Sequence, residues 1–340
     1  MSCGGRPVLY KNHSLHKQSW SVEVDLNKDM QNLFKDRMAK SGLKPSSDKN
    51  CIYEYFNWQK RLIKQIPRTI EKSKEFFCPD EYSRALKEFE NKILEGKQLA
   101  PYMSTSILKA DYNDLMLNDW NIFHFHLTRQ FREDGFAKRS NFELFAYFTE
   151  ETAYFIQIYS HHKKNLYSTQ EMIKIVYENW PQLIEKNRIK GALSLEEEID
   201  DKNYEKLRKA HVTTFTQIGR EKIFALIGGG YMSNGFSTEA LRQADYWKET
   251  MRIREHILIE NIGVILQSIK LVNDIVYNNL VVHLIWFDSD GKITFAEETN
   301  SVIIQFDYKL GMIRVCKPSE VFGYEPIRVN RMRLAGYIRH

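Results

Sequence analysis

The chain has 340 residues, of which 43% are hydrophobic and 13% aromatic, and it carries a formal net charge of +5. This length exceeds the usual single-core size and predicts two or more packed subdomains, and the apolar content excludes a disordered chain. Cys3, Cys51, Cys78 and Cys316 are scattered with no C-x-x-C, which argues against a zinc ribbon, a dithiol redox site or a disulfide framework.

Residues 1–50 form a polar N-terminal extension with one short helix expected over 25–40. Residues 51–118 read as a helical region. Phe56, Leu62 and Ile63 recur at near-helical spacing up to Pro67. A second helix starts at Pro79-Asp80-Glu81, carries Leu86, Phe89 and Ile93 on one face, and stops at Gly96. Residues 119–190 change period. A strand is expected over 122–128, then a basic loop, then a hairpin of 142–148 and 153–160 around Thr149-Glu150-Glu151-Thr152. Both faces of that hairpin carry apolar residues, so it needs cover on both sides.

Ser168-Thr169-Gln170-Glu171 reads as a capped start for a helix halted by Pro181. Residues 191–275 form a second helical region, with an acidic run at 194–201, one helix over 204–227, Gly228-Gly229-Gly230, and helical pattern from Ala240 to about Leu271. The stretch 240–269 reads as an ordinary packing helix, with a dimer interface as the alternative. Residues 276–340 read as a four-stranded meander followed by a basic tail. From Lys309 onward seven Lys/Arg face two Glu, an excess equal to that of the whole chain. Such a tail is a phosphate-binding surface or a solvated basic end. The expected fold class is therefore α+β: an N-terminal helical region, a central antiparallel sheet, a helical middle and a C-terminal antiparallel β-meander.

Four of the ten histidines fall between 124 and 162. His124 and His126 alternate with Phe123, Phe125 and Leu127, so on a strand both imidazoles share one face, about 7 Å apart. Such a pair can ligate one divalent ion such as zinc or manganese, with a third ligand from His161, His162, His211 or Glu143. Alternatively one imidazole serves as general acid or base. His161-His162-Lys163-Lys164 ends the next strand, where adjacent residues face opposite ways and only one histidine can join a shared site. Lys163 and Lys164 suit a phosphate backbone.

The order of helical segment, aromatic strand, basic loop, hairpin and His/Lys/Tyr-rich end over residues 119–167 resembles the RelE/ParE-type ribonuclease toxin core. The resemblance rests on element order, in a chain far longer than such toxins. It implies a small antiparallel sheet packed on helices and metal-free attack of an RNA 2′-hydroxyl on its own phosphate. His124 or His126 would be the base, His161 the acid, and Arg129, Arg132 and Lys163 the phosphate stabilisers. RNA and a protein partner such as an antitoxin are the implied partners, with no cofactor.

Gly228-Gly229-Gly230 matches neither a P-loop nor a dinucleotide fingerprint and reads as a connection between helices. The chain lacks a signal-peptide h-region and any run of ~20 apolar residues, so the expectation is a soluble cytoplasmic protein without a membrane partner. Three functions follow: a nucleic-acid-directed ribonuclease of toxin or phage-defence type, a metal-dependent hydrolase with His124 and His126 as ligands, and a non-enzymatic nucleic-acid or protein-binding module.

Overall fold

The computed structural model describes residues 8–12, 19–192, 194–195, 199–219, 222–288 and 292–321. Most of the basic tail (residues 322–340), the acidic residues 196–198, Arg220 and the turn residues 289–291 lie outside the described residues. In chain order the strands are β1 (Val8–Asn12), β2 (Trp20–Val24), β3 (Thr69–Lys72), β4 (Ile122–His126), β5 (Phe142–Phe148), β6 (Thr152–Ser160), β7 (Thr216–Ile218), β8 (Lys222–Phe224), β9 (Asn279–Phe287), β10 (Lys292–Glu297), β11 (Val302–Asp307) and β12 (Met312–Cys316). The α-helices are α1 (Leu26–Lys40), α2 (Cys51–Arg61), α3 (Ser83–Leu94), α4 (Leu115–Trp120), α5 (Glu171–Asn179), α6 (Asp201–Lys209), α7 (Thr238–Glu260), α8 (Ile262–Val272) and α9 (Pro318–Val321). The fold is α+β, with two compact units: Met1–Arg37 together with Asp245–His340, and Met38–Ala244. Among the described residues, no helix is long and apolar enough to cross a membrane.

The unit built from the chain ends holds a six-stranded sheet in the order β1-β2-β9-β10-β11-β12, antiparallel except where β2 runs parallel to β9. The expected C-terminal meander is thus extended by an N-terminal hairpin. Leu280, Val282 and Leu284 alternate into the core, and a bulge opposite Thr294 and Phe295 resets the phase so that Phe287 is buried too. Leu26, Met30 and Phe34, one helical turn apart, give α1 its buried stripe, and Phe34 meets Phe287. Glu297, only 1% exposed, accepts from the amides of Val281, Thr299 and Asn300 and from the Asn300 side chain at 2.8–3.0 Å. Its charge is buried but fully answered.

The second unit holds a four-stranded sheet in the order β3-β6-β5-β4, antiparallel apart from the parallel β3–β6 pair. It is covered on both faces. Phe123, Phe125, Leu144 and Phe155 pack with Leu86, Phe89 and Ile93 of α3. On the other face Ile122, Phe145, Tyr154 and Ile156 pack with Met172, Ile173 and Val176 of α5, with Tyr204 and with Phe224. The pairing of β5 with β6 shifts register between Phe145 and Ala146, so Phe155 and Ile158, which differ in parity, both face α3. This bulge turns the end of β6 over.

Several local expectations need correcting. Residues 204–227 do not form one helix. α6 ends at Lys209, His211 takes a left-handed φ of 57°, and β7 pairs with β8. The β-branched and aromatic run Thr213-Thr214-Phe215-Thr216 prefers that extended backbone. The 51–118 region is interrupted by β3, which follows Pro67, and the 240–271 pattern is two helices meeting at Asn261. The expected capping box does not form, since Ser168 Oγ donates instead to the carbonyls of Asn165 and Asp201. The glycine run packs tightly: Gly228 and Gly230 donate to the carbonyls of Asp119 and Asn118, and a Cβ on Gly228 would lie 2.2 Å from the Leu117 carbonyl oxygen.

A buried ion pair braces this unit. Arg208 Nε and Nη2 donate to Asp119 Oδ2 at 2.9 and 2.7 Å, with the two residues 4% and 2% exposed. The guanidinium also lies over the Trp120 ring at 4.3 Å and donates to the Tyr167 carbonyl. Asp119→Ala strands that guanidinium in the interior, and urea unfolding should show a loss of about 3–5 kcal/mol; a loss below about 1 kcal/mol would contradict the bracing role.

In the other unit His283 Nδ1 lies 3.5 Å from Asp29 Oδ1, and the aspartate raises the imidazole above its ordinary value. A raised folded-state value means that the stabilisation is complete below about pH 6.5 and fades as pH rises through the folded value. His283→Gln should therefore shift the urea midpoint more at about pH 5 than at about pH 8.5; an equal shift at both would exclude the coupling.

Candidate metal centre

His126 and Glu143 are direct partners on the antiparallel pair β4–β5, so their side chains lie side by side on one face. His161 stands just past β6, where its amide extends the ladder by donating to the Asn141 carbonyl. Without the β6 bulge, parity would send His161 toward α3. With it, His161 shares the face of His126 and Glu143. The three form a row across three neighbouring strands.

His126 Nδ1 lies 3.3 Å and His161 Nε2 3.2 Å from the same oxygen, Glu143 Oε1. These contacts are not aligned hydrogen bonds: both ring nitrogens are buried and lack a hydrogen-bond partner. The three donor atoms lie within 4.8 Å of one another. Two ligands each about 2.1 Å from one ion, and 3.2–3.3 Å apart, subtend about 100° at it. Each histidine–glutamate pair therefore has the separation of two neighbouring ligands on a tetrahedral or octahedral cation.

Glu143 is 1% exposed, and Tyr167 Oη, at 2.7 Å from Oε2, is the one hydrogen-bond donor the described residues give its side chain. The two imidazoles do not supply the missing charge. Burial pushes His126 and His161 below the ordinary histidine range; Arg139 and His124 push the same way, and Glu143 only opposes them. Neutral imidazoles are the ligand form. Burial, then Glu143, raises the Tyr167 phenol, so it stays a proton donor to that carboxylate.

The row opens on a cavity of about 670 Å³ lined by His124, His126, Glu143, His161, Tyr167, Arg132 and Arg139, among others. His124 shares the face of His126, but its ring packs against Tyr167 and Phe145 with Nδ1 buried and without a hydrogen-bond partner. The ligand group thus pairs His126 with Glu143 and His161 rather than with His124.

The basic residues divide. A tight turn with Gly135 at φ 81°, closed by the Phe131–Ala137 bridge, folds the loop. Arg132 lines the cavity but is paired with Asp134. Arg129 lies outside the cavity lining, 2.6 Å from Glu88. Lys163 pairs with Glu171 and lies over the Tyr159 ring, and Lys164 is exposed; neither lines the cavity. His162 is exposed, and His211 lies beside Tyr231. Tyr167 and Arg139 are the site residues that sequence reasoning passed over. Arg139 belongs to the basic loop, but nothing in the sequence sets it apart from Arg129.

No family model, no curated protein and no solved structure matches this chain, so any functional reading rests on these side chains.

Proposed function

We propose that the protein is a metal-dependent hydrolase whose ion is held by His126, Glu143 and His161. The observation that carries this reading is a buried carboxylate with a single side-chain hydrogen bond among the described residues, facing two buried imidazole nitrogens without hydrogen-bond partners at 3.2–3.3 Å. An enclosed anion with so few partners is costly, and a divalent cation offsets that cost. Two histidines and one glutamate are a ligand set for hydrolytic zinc, leaving positions for water and substrate. When bound, such an ion supplies a hydroxide near neutral pH by lowering the pKa of its water to about 7. Tyr167 holds Oε2 of Glu143, leaving Oε1 for the metal. His124, whose ring lines the same cavity, is the group to take up the proton.

The metal-free ribonuclease reading gains less from this geometry. It asks His124 or His126 to act as base and His161 as acid across one phosphate. His126 and His161 offer nitrogens within 4.8 Å, turned toward one carboxylate oxygen. Groups so placed approach a phosphate from one side, whereas in-line attack needs them on opposite sides. Of the four basic residues expected to bind RNA, Arg129, Arg132 and Lys163 are engaged in ion pairs, and only Arg132 lines the cavity.

EDTA-treated protein should bind about one Zn²⁺ or Mn²⁺ per chain in calorimetry, His126→Ala and His161→Ala should lose that binding, and Tyr167→Phe should weaken it about 10–100-fold. His124→Ala should keep the ion and lose turnover of ester substrates. Equal metal binding by the His126/His161 double variant would overturn the site. Undiminished turnover, or RNA cleavage, in EDTA would restore metal-free acid–base chemistry. The same ligand set suits iron(II) oxygen chemistry. Oxygen uptake by the iron-loaded protein in place of hydrolysis would keep the site and overturn the reaction.

A further inference from the structure

Four cationic side chains line the cavity: Arg132, Arg139, Arg208 and Lys209. Three are spoken for. Arg132 pairs with Asp134, Arg208 with Asp119, and Lys209 with Glu205. The carboxylates of the lining are committed too. Asp114 caps α4 through the Leu117 amide, Glu205 holds Lys209, and Glu143 belongs to the ligand row. Among the described residues Arg139 is the cavity cation without a carboxylate or hydrogen-bond partner. Arg139 lines the same cavity as His126, Glu143 and His161, and two residues after it the Asn141 carbonyl accepts from the His161 amide, which places it beside the row. A guanidinium left open beside a cation site is a receptor for an oxyanion, which it can grip with two parallel N–H donors.

We propose that Arg139 is the substrate-anchoring residue, and that the substrate is a small phosphate monoester whose phosphoryl group spans the metal and Arg139. This rests on the metal-hydrolase reading above. A phosphoryl group has oxygens enough to meet the metal with one and both donors of the guanidinium with the others. The cavity volume of about 670 Å³ falls within the range of small-molecule sites, roughly 300–1,000 Å³. Tyr112, Met103 and Met116 supply apolar wall for the organic part, and Ser104, Thr105 and Asn113 supply polar wall. In the reaction a water-derived hydroxide forms the new P–O bond and the bond from phosphorus to the ester oxygen breaks. The ester oxygen takes up the proton released from that water, by way of His124. One water and one monoester give one alcohol and one inorganic phosphate, with no oxidant or reductant.

The test is calorimetric titration of inorganic phosphate into the zinc-loaded full-length chain, with metal content measured in parallel. Arg139→Met should lower phosphate affinity about tenfold or more while keeping the metal, and Arg139→Lys should recover part of it. Arg129→Met, whose partner is Glu88, should leave affinity unchanged. Phosphate binding by metal-loaded Arg139→Met equal to that of the parent chain overturns the proposal. Tighter binding of acetate or malonate than of phosphate also overturns it, by assigning a carboxylate substrate. If the chain takes up no metal, the hydrolase reading fails by itself and the metal-free protein still tests Arg139. Phosphate binding lost in Arg139→Met then supports an anion site, and binding unchanged by the variant removes it.

Discussion

The charge on Glu143 is the constraint around which the second unit is arranged. A carboxylate enclosed by protein needs donors or a cation. The contrast with Glu297, equally buried, shows what a settled solution looks like: there three amides and one side-chain N–H meet both oxygens, and the residue ties a turn together. Glu143 has one phenol and two misaligned imidazoles. Two carboxylates with the same exposure thus have opposite characters, one closed and one open to a ligand. The difference lies in donor geometry, which burial alone does not reveal.

The surroundings hold this unsettled group in place. Arg208 joins Asp119 and Trp120, at the end of α4 and just before β4, to the Tyr167 carbonyl, while the Tyr167 phenol reaches Glu143. One guanidinium therefore links the entry to the histidine strand with the segment that orients the carboxylate. Gly228 and Gly230 close against the same stretch through the carbonyls of Asp119 and Asn118. The rigidity needed to keep ligand atoms a few tenths of an ångström from a productive geometry comes from these contacts beside the row.

Much of this was legible in the sequence, and the gaps have physical causes. The alternation around His124 and His126 announced a strand with two imidazoles on one face, and the hairpin after it was marked by its polar turn. The bulge in β6 was not legible. One extra residue inverts the parity of everything after it, and no residue type in that stretch signals it. Glu143 was one of four third-ligand candidates, because only the register of β4 on β5 singles it out. Arg129 and Arg139 look alike as sequence; the turn at Gly135 decides which one meets Glu88 and which meets the cavity. The meander was readable from its strands and turns, while its parallel junction to β2, more than 250 residues away in the chain, had no local signature.

Among the described residues β4 is an edge strand, held on one side by β5 and not flanked by a further strand on the other. Edge strands are where pairing slips most readily. A slip of one residue would replace His126 with Phe125 or Leu127 opposite Glu143 and bring an imidazole into the apolar layer against α3. An ion shared by β4, β5 and the end of β6 would act as a rivet across the sheet, tolerating one alignment of the three strands and penalising every other. A bound ion would then also act as a checkpoint on folding, because wrongly paired strands would not bring His126, Glu143 and His161 together.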